Sequence, residues 1–333
     1  MKRIFLSVLI LLSSHFFLSA LDNKYEDYFS FTITPQFEVA NGNIMEYVFD
    51  SDCKNTDSKL SELRWNVSTI ALINLKADFS IIKYIYLGLS GTAAVPQRSD
   101  LMQDYDWENG LSSYPYWIND DPTEYTKFSE HINTLDKYVT FKISLGGNVY
   151  LPAKITLTPH LAYQYEFIGF TASGGYGEYK NDSKAITRKT FNGKVISYVQ
   201  EANSVFLGLK LSVDCIPRTT IRLNFDISPK LTFLNAIDYH YINRVSSGTA
   251  YKDSFKNLLQ IETDATIQYR FTKNHSTGIY GKIQYIPLSK GQTTSRLIDK
   301  DGNFTSSEWL ESPSEGGTER YIWSLGLNYS FSL

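Results

Sequence analysis

The chain contains 333 residues, of which 42% are hydrophobic, 20% charged and 15% aromatic, with a formal net charge of -3 and two cysteines. The charged fraction lies below the roughly 25% that is usual for soluble domains, whereas 24 Tyr and 20 Phe supply a large aromatic surface. This composition excludes a disordered chain and a small disulfide-rich domain. The near-neutral charge also argues against a nucleic-acid partner.

The first twenty residues have the composition of a secretory signal peptide. Lys2 and Arg3 precede a short apolar run, and Ala20 is the expected last residue before cleavage. A membrane-spanning helix is the weaker interpretation, because the run is shorter than the about 20 apolar residues that such a helix needs. We therefore predict a signal peptide over 1–20.

The last thirteen residues alternate between two faces with the period of a β-strand. The odd positions carry Tyr321, Trp323, Leu325, Leu327, Tyr329, Phe331 and Leu333. The even positions between them are mostly small or polar. A strand in a soluble sheet would hold this alternation over about five to seven residues. The longer run favours a transmembrane β-strand, which needs about 9 to 11 residues to cross a bilayer.

The same alternation recurs along the chain and predicts a barrel. Near the middle of the chain Leu223 and Phe225 alternate with Asn224 and Asp226, so the even positions there are predicted to face the lumen. Ten such segments lie near 30–49, 57–75, 80–98, 136–150, 154–172, 196–212, 219–241, 254–271, 276–289 and 319–333. No later apolar run approaches the length of a membrane helix. The predicted fold of 21–333 is therefore all-β, a ten-stranded antiparallel transmembrane β-barrel with long extracellular loops.

Short and long connections alternate between the predicted strands. Short turns are predicted near 76–79, 151–154, 213–218 and 272–275, and long polar loops over 96–137, 173–195, 243–253 and 290–318. In outer-membrane barrels the short turns face the periplasm and the long loops face the outside. The alternating aromatic residues of the last strand also resemble an outer-membrane assembly signal. We therefore predict an outer-membrane location with the long loops at the cell exterior.

Two short motifs carry the candidate catalytic side chains. Asp104 and Asp106 lie at the start of the longest predicted loop, and Asp238 and His240 lie at the end of the seventh predicted strand. Residues two apart in a strand share a face about 7 Å apart, so a carboxylate can orient an imidazole. Each motif alone has a simpler explanation, as a capping or solvated pair, a hydrogen-bonded pair or a metal site. Together they predict four titratable side chains at the outer mouth of the barrel.

The order and spacing of these motifs resemble those of the omptin family of outer-membrane endopeptidases. In that family an Asp-x-Asp-Trp motif faces an Asp-x-His motif across a ten-stranded barrel. The matching segments are 45–49, 60–65, 102–107, 129–131, 163–164, 170–175 and 238–241. They extend over essentially the whole chain after the signal peptide. The resemblance implies a protease that acts on peptides or proteins, with its active site facing the cell exterior.

The resemblance also implies a role for each catalytic side chain. His240 would take a proton from an attacking water molecule, and Asp238 would hold the imidazole and stabilise its cationic form. Asp104 and Asp106 would stand on the opposite wall, where one positions the water and the other polarises its neighbour. A mechanism of this kind forms no covalent acyl-enzyme, so no Ser or Cys nucleophile is needed.

Two further residues match a second family motif. Ser129 and His131 are predicted to support the catalytic residues.

The rival interpretation of the site is a metal centre. Two carboxylates and a histidine could also hold a cation, but only His240 is firmly placed as a nitrogen ligand. The resemblance implies independence from metals, and no other cofactor is predicted.

The predicted substrate pocket departs from the family pattern at one position. The family binds a basic side chain with two acidic residues, one in the first hairpin and one two residues before the Asp-x-His motif. Glu46 occupies the first of these positions and Ala236 the second. Because half of the carboxylate pair is missing, we predict a relaxed preference for basic residues at the cleavage site.

The predicted lipid contacts depart from the family pattern as well. Family members bind lipopolysaccharide through arginines on the outer wall, and Phe167 and Glu201 occupy the positions expected for two of them. An apolar ring and an anion do not bind phosphate, so we predict that lipopolysaccharide is not required. The predicted partners are peptide or protein substrates and outer-membrane lipid. The alternative is that neighbouring positions supply the arginines.

A function from a different class remains as the alternative to a protease. A barrel that keeps a degenerate catalytic site could act as an adhesin or a structural protein of the outer membrane. A diffusion porin is disfavoured, because open channels occur in barrels of about 16 to 18 strands. Retention of all four acid-base residues favours the enzyme.

Overall fold

The computed structural model describes residues 29–50, 59–107, 125–180, 185–241 and 248–333. The predicted signal peptide lies outside these residues. All regular structure in the described ranges is β-strand, in thirteen segments numbered β1 to β13. The described part of the chain contains no helix that is long and apolar enough to cross a bilayer.

Ten antiparallel barrel strands form a closed ring, which confirms the predicted fold. The long strands are β1 (Phe29–Asp50), β2 (Lys59–Ile81), β5 (Lys127–Gly147), β7 (Ile155–Lys180), β9 (Lys194–Ile216), β10 (Thr219–His240), β11 (Gly248–Arg270), β12 (His275–Ile298) and β13 (Leu310–Ser332). The remaining barrel strand consists of β3 (Ile85–Ala94) and β4 (Gln97–Asp106), whereas β6 (Val149–Leu151) and β8 (Ile186–Thr190) are short strands beside β7. Pairing of β1 with both β2 and β13 closes the ring.

The break between β3 and β4 is repaired by a side chain. Pro96 lies between the two segments and has no backbone N–H to donate, so the ladder to β2 is interrupted there. The side chain of Gln97 takes the place of the missing backbone hydrogen bonds. It accepts a hydrogen bond from the Ala71 N–H at 2.9 Å and donates one to the Ala71 carbonyl at 3.0 Å. A register shift then follows between Arg98 and Leu101, and from Met102 onward the even positions face the interior.

An apolar belt on the outer wall marks the membrane-spanning part of each strand. On β10 the belt contains Leu223, Phe225, Leu231 and Phe233, all exposed on the outer face. The strands run beyond this belt, since β10 has 22 residues and a bilayer requires about 9 to 11. We call the end with the short connections, where β1 begins and β13 ends, the turn end, and the opposite end the loop end. Asp238 and His240 lie beyond the belt, at the loop end.

The interior of the barrel is filled in two layers. Below the loop end, Trp65 stacks on Tyr198 and Phe170, with ring centroids 5.3 and 5.7 Å apart. Nearer the turn end lies a polar network in which Lys142 contacts Asp226 at 2.6 Å and Glu262 at 3.1 Å. The apolar layer separates the loop end from this network, so the lumen is a packed interior.

The predicted connections need correction. The turn predicted at 76–79 lies inside β2, and the chain turns at 82–84 instead, where Ile82 and Lys83 have φ values of 52° and 63°. Large parts of the loops predicted over 96–137, 173–195, 243–253 and 290–318 are strand. Beyond the belt the outer face meets water instead of lipid, so the alternation that predicts a strand fades there.

Candidate active site

A cleft of about 560 Å³ opens at the loop end of the barrel. Strands from opposite sides of the ring line it, and its polar lining includes Glu46, Asp106, Ser129, Asp238, His240 and Asp253. The barrel therefore brings residues of both predicted catalytic motifs to one cavity.

The Asp238–His240 pair lies at the C-terminal end of β10, which ends at His240. Asp238 is buried, and its Oδ2 contacts Nε2 of His240. Tyr251 of β11 also packs against the imidazole in a T-shaped arrangement, with a centroid distance of 5.4 Å. Among the residues that the structure describes, Oδ1 of Asp238 has no hydrogen-bond partner. The imidazole is thus held by one carboxylate oxygen and an aromatic ring while it borders the cleft.

The two aspartates of β4 occupy different depths on the facing wall. Asp106 borders the cleft, whereas Asp104 is almost fully buried behind it. The Ser61 hydroxyl of β2 donates a hydrogen bond to Oδ1 of Asp104 at 3.4 Å. Pairing of β4 with β5 sets Asp104 opposite Ser129 and Asp106 opposite Lys127. Only Asp106 of this pair is therefore in direct reach of a molecule in the cleft.

The charges of the two walls act on the same imidazole. Burial lowers the pKa of His240, but the Asp238 carboxylate, by charge and hydrogen bond, and the Asp106 carboxylate raise it above its usual value. His240 lies above the apolar belt, so these carboxylates act on it outside the membrane-spanning segment. The effect of Asp106 couples the two motifs across the cleft.

Ser129 and His131 form a linked pair on β5. Ser129 borders the cleft, and its hydroxyl lies 2.9 Å from Nε2 of His131. Nδ1 of His131 lies 2.5 Å from the carbonyl oxygen of Gly174, so the ring donates there and accepts from Ser129. His131 is 1% exposed and does not border the cleft. The pair thus links the cross-strand partner of Asp104 to the Gly174 carbonyl of β7.

The two predicted pocket positions lie in different surroundings. Glu46 is buried and borders the cleft from β1. Ala236 of β10 is buried in the apolar layer beneath the cleft. Its cross-strand partner on β11 is Asp253, a carboxylate that sequence analysis did not single out. Asp253 fell at the end of a predicted loop and belongs to no motif, so its place in the cleft emerges only from the strand register.

The positions expected for lipid-binding arginines lie on the outer wall. Phe167 of β7 and Glu201 of β9 are direct cross-strand partners, and Glu201 is exposed. Nζ of Lys137, on β5, lies 4.8 Å from the centroid of the Phe167 ring. This patch is therefore an aromatic ring flanked by one cation and one anion.

The described residues contain no group of three or more His, Cys, Asp or Glu side chains arranged to hold a metal ion. The acidic side chains that line the cleft are instead distributed around it, with Asp238 and Asp253 on β10 and β11, Glu46 on β1 and Asp106 on the facing wall.

The fold and the cleft define a transmembrane β-barrel with a cleft at one end that acidic side chains and a histidine line. Residues 29–331 match the sequence profile of the Omptin family, and the chain belongs to that family. It lies in the outer membrane.

Individual relatives agree with this assignment. The chain is 24% identical to the outer membrane protease IcsP of Shigella flexneri over 287 residues, which cover 84% of each chain. It is 24% identical to Protease 7 of Escherichia coli over 286 residues, covering 82% of each. The crystal structure of the outer membrane protease OmpT from Escherichia coli superposes with a TM-score of 0.75 at 20% identity, covering 91% of this chain and 97% of that one. The structural likeness supports the fold.

Proposed function

We propose that the chain is an endopeptidase in which His240 activates a water molecule for attack on a peptide carbonyl. The observation that carries the proposal is the contact between Asp238 and His240 at the edge of a cleft that Asp106 also borders. Neutral His240 takes a proton from the water, and Asp238 stabilises the imidazolium that forms. The tetrahedral intermediate then collapses as the protonated imidazole delivers that proton to the leaving amine.

The facing wall positions the water. Asp106 borders the cleft and accepts a hydrogen bond from the attacking water, so that its second proton points to His240. Asp104 lies behind Asp106 and acts through it by electrostatic polarisation, held by the Ser61 hydroxyl. Ser129 and His131 support this wall as positioning residues. No Ser or Cys nucleophile is part of the mechanism.

The loop end faces the cell exterior in this proposal. The short connections between strands lie at the turn end, and short turns face the periplasm in barrels of this class. The cleft at the loop end would then meet peptide or protein substrates outside the cell.

Purified protein, refolded in detergent, tests the proposed activity. A mixed peptide library is incubated with it, and mass spectrometry locates the cleavage sites. Cleavage by the wild type and not by a matched His240→Ala preparation supports the endopeptidase. No cleavage by either protein would favour the alternative, an adhesin or structural barrel that keeps a degenerate site.

Chelation of metals is expected to leave the activity unchanged. The proposed mechanism generates its nucleophile with an imidazole base, so it needs no Lewis acid. The test compares peptide cleavage before and after incubation with EDTA, followed by dialysis. Strong inhibition that a divalent ion reverses would contradict the proposal and favour the metal interpretation.

The preference for basic side chains is proposed to be weaker than that of a pocket with two permanently charged acids. Ala236 contributes no carboxylate, and Glu46 is the acid that both the resemblance and the cleft lining support. A cation that is only partly neutralised after desolvation binds less well.

Lipopolysaccharide is expected to leave the cleavage rate unchanged. Phe167 cannot bind a phosphate, and the carboxylate of Glu201 repels it. The rate is measured in detergent with and without added lipopolysaccharide. Stimulation by several-fold would contradict the prediction and point to Lys137, the cation beside Phe167, as a substitute.

A gain-of-function variant provides the matched control for the lipid prediction. Phe167→Arg combined with Glu201→Arg restores two guanidinium groups at adjacent positions of neighbouring strands. This double variant is expected to bind lipopolysaccharide in a sedimentation assay, whereas the wild type does not. Equal binding by the two proteins would show that these positions do not decide lipid affinity.

A further inference from the structure

Asp253 is a buried carboxylate in the cleft that the proposed catalytic mechanism does not use. It is 5% exposed, and the Thr293 hydroxyl donates a hydrogen bond to its Oδ1 at 2.5 Å. In the β10–β11 ladder it pairs directly with Ala236, two residue pairs deeper than Asp238. A carboxylate is therefore present beside Ala236, on the neighbouring strand.

A glycine on β13, two strands from β11 along the ring, leaves space for this carboxylate. A Cβ atom built on Gly316 of β13 would lie 2.3 to 2.5 Å from the carboxyl atoms of Asp253, far inside van der Waals contact. Any side chain at that position would displace Asp253. The pairing of Gly316 with Val48 of β1 sets this space close to the strand that carries Glu46.

Three acids from three strands act on one buried phenol. Burial raises the pKa of Tyr198 well above its usual value, and the charges of Glu46, Asp253 and Asp238 raise it further. All three acids also border the cleft. The strand register agrees with this, since Tyr198 of β9 is the direct cross-strand partner of Asp238.

Positive charge is scarce in the cleft. Within its described lining the basic side chains are Lys127 and His240, and Lys127 lies on the facing wall, opposite Asp106 in the β4–β5 ladder. Among the described residues, Oδ1 of the buried Asp238 still lacks a hydrogen-bond partner. Buried carboxylates are costly unless a cation or hydrogen-bond donor compensates them. This acidic end of the cleft is therefore suited to a donor-rich cation, which would also give Oδ1 of Asp238 a partner.

We propose that Asp253 and Glu46 together bind the cationic side chain of the substrate residue beside the cleaved bond, with Asp253 as the specificity-determining residue that takes over from Ala236. This inference rests on the proposed endopeptidase function. The cleft volume of about 560 Å³ accommodates an extended basic side chain as well as part of the peptide. A guanidinium presents several N–H donors and can satisfy two carboxylates at once.

The charge of Asp253, and with it the binding of a cation, depends on pH. Burial raises the pKa of Asp253 to about 7, the Asp238 charge adds to the increase, and the hydrogen bond from Thr293 opposes it. In the empty cleft the carboxyl is largely neutral below that pH, and an arriving cation favours its ionised form. The preference for basic residues is thus weaker in acid, in agreement with the relaxed selectivity proposed above.

The experiment uses two peptides that differ at one residue, arginine or its neutral isostere citrulline, at the cleavage site. The wild type is expected to prefer arginine in kcat/KM. Asp253→Asn should reduce this preference by about tenfold or more, which corresponds to about 1.4 kcal/mol for one charge-assisted contact. The kcat/KM of each protein for the citrulline peptide serves as its own reference, so a general loss of activity does not change the ratio.

Two further variants separate a specific contact from a general charge effect. Ala236→Asp in the Asp253→Asn background moves the carboxylate to the adjacent position of β10 and should restore the preference. Glu315→Gln removes a carboxylate from β13 beside Gly316 and is the matched control, since Glu315 is exposed and lies 3.8 Å from Lys290. This control should leave the preference unchanged.

A binding measurement distinguishes the proposed cation site from the proposed protease activity. Binding is measured by fluorescence anisotropy with labelled forms of both peptides. An unchanged arginine-to-citrulline ratio in Asp253→Asn, in both binding and cleavage, would overturn the role of Asp253. Absence of cleavage by the wild type, with binding still dependent on Asp253, would overturn the protease function and keep the cation site. If Asp253→Asn does not refold, Asp253→Ser provides the same comparison with a smaller side chain.

Discussion

Replacing His240 with alanine is expected to lower the rate of peptide hydrolysis by a factor of about 10² or more, the usual contribution of a general base. In the proposed mechanism the imidazole is the neutral base, with Asp238 in direct contact with it and Asp106 acting on it by charge. Asp238→Asn is expected to show a loss of similar size, because the amide no longer stabilises the imidazolium. The measurement is kcat with a fluorogenic peptide, made on refolded protein.

Folding of these variants can be checked independently of activity. His240 lies at the end of β10, beyond the apolar belt, so its replacement leaves the lipid-facing wall unchanged. The β-sheet circular dichroism and the resistance to heat in detergent should match those of the wild type. Full activity in folded His240→Ala would exclude the proposed base, whereas loss of the fold would make Asp238→Asn the decisive variant.

The membrane-spanning part of the fold could be predicted from the sequence because lipid imposes a strict alternation. Leu223 and Phe225 are 45% and 47% exposed on the outer face, while Asp226 is 1% exposed in the interior. Every second side chain meets hydrocarbon there, so apolar residues must recur with a period of two. The predicted parity of this strand is confirmed.

The parts of the strands above the belt could not be predicted in the same way. Residues 173–180 of β7 and 290–298 of β12 fell within predicted loops but are strand. Their outer faces meet water, so polar residues occupy both faces and the period of two disappears. The hydrogen bonds to neighbouring strands, which are invisible in a single sequence, hold these segments extended.

In the candidate site, too, some residues could be predicted from the sequence and one could not. Asp104, Asp106, Asp238 and His240 were predicted because each pair shares a strand face at a spacing of two and both motifs have a family counterpart. Asp253 has neither signal. It enters the cleft because β11 pairs with β10 in a register that sets it beside Ala236, and because Gly316 leaves the space. A single missing acid in one strand can thus be replaced from the next strand without any change in the motif.

The acid limb of the pH–rate profile is expected to lie above the range of an ordinary histidine. Proton abstraction requires neutral His240, and the Asp238 and Asp106 carboxylates raise the pKa of His240 although burial opposes them. Below this raised pKa the rate should fall about tenfold for each pH unit, because the neutral fraction falls by that factor. The measurement is kcat/KM across the pH range with the citrulline peptide. Its side chain is neutral, so its binding does not depend on the charge of Asp253.

Two variants test the direction in which the acid limb moves. Asp106→Asn removes a charge that favours the imidazolium, so the acid limb of its residual activity should move to lower pH. Asp253→Asn should leave the limb with the citrulline peptide in place, since the groups acting on His240 are Asp238 on its own strand, Asp106 across the cleft and the uncharged ring contact of Tyr251. With the arginine peptide, wild type alone should show an added dependence near pH 7, where Asp253 ionises. An acid limb that does not move in Asp106→Asn would mean that the two walls of the cleft are not electrostatically coupled through His240.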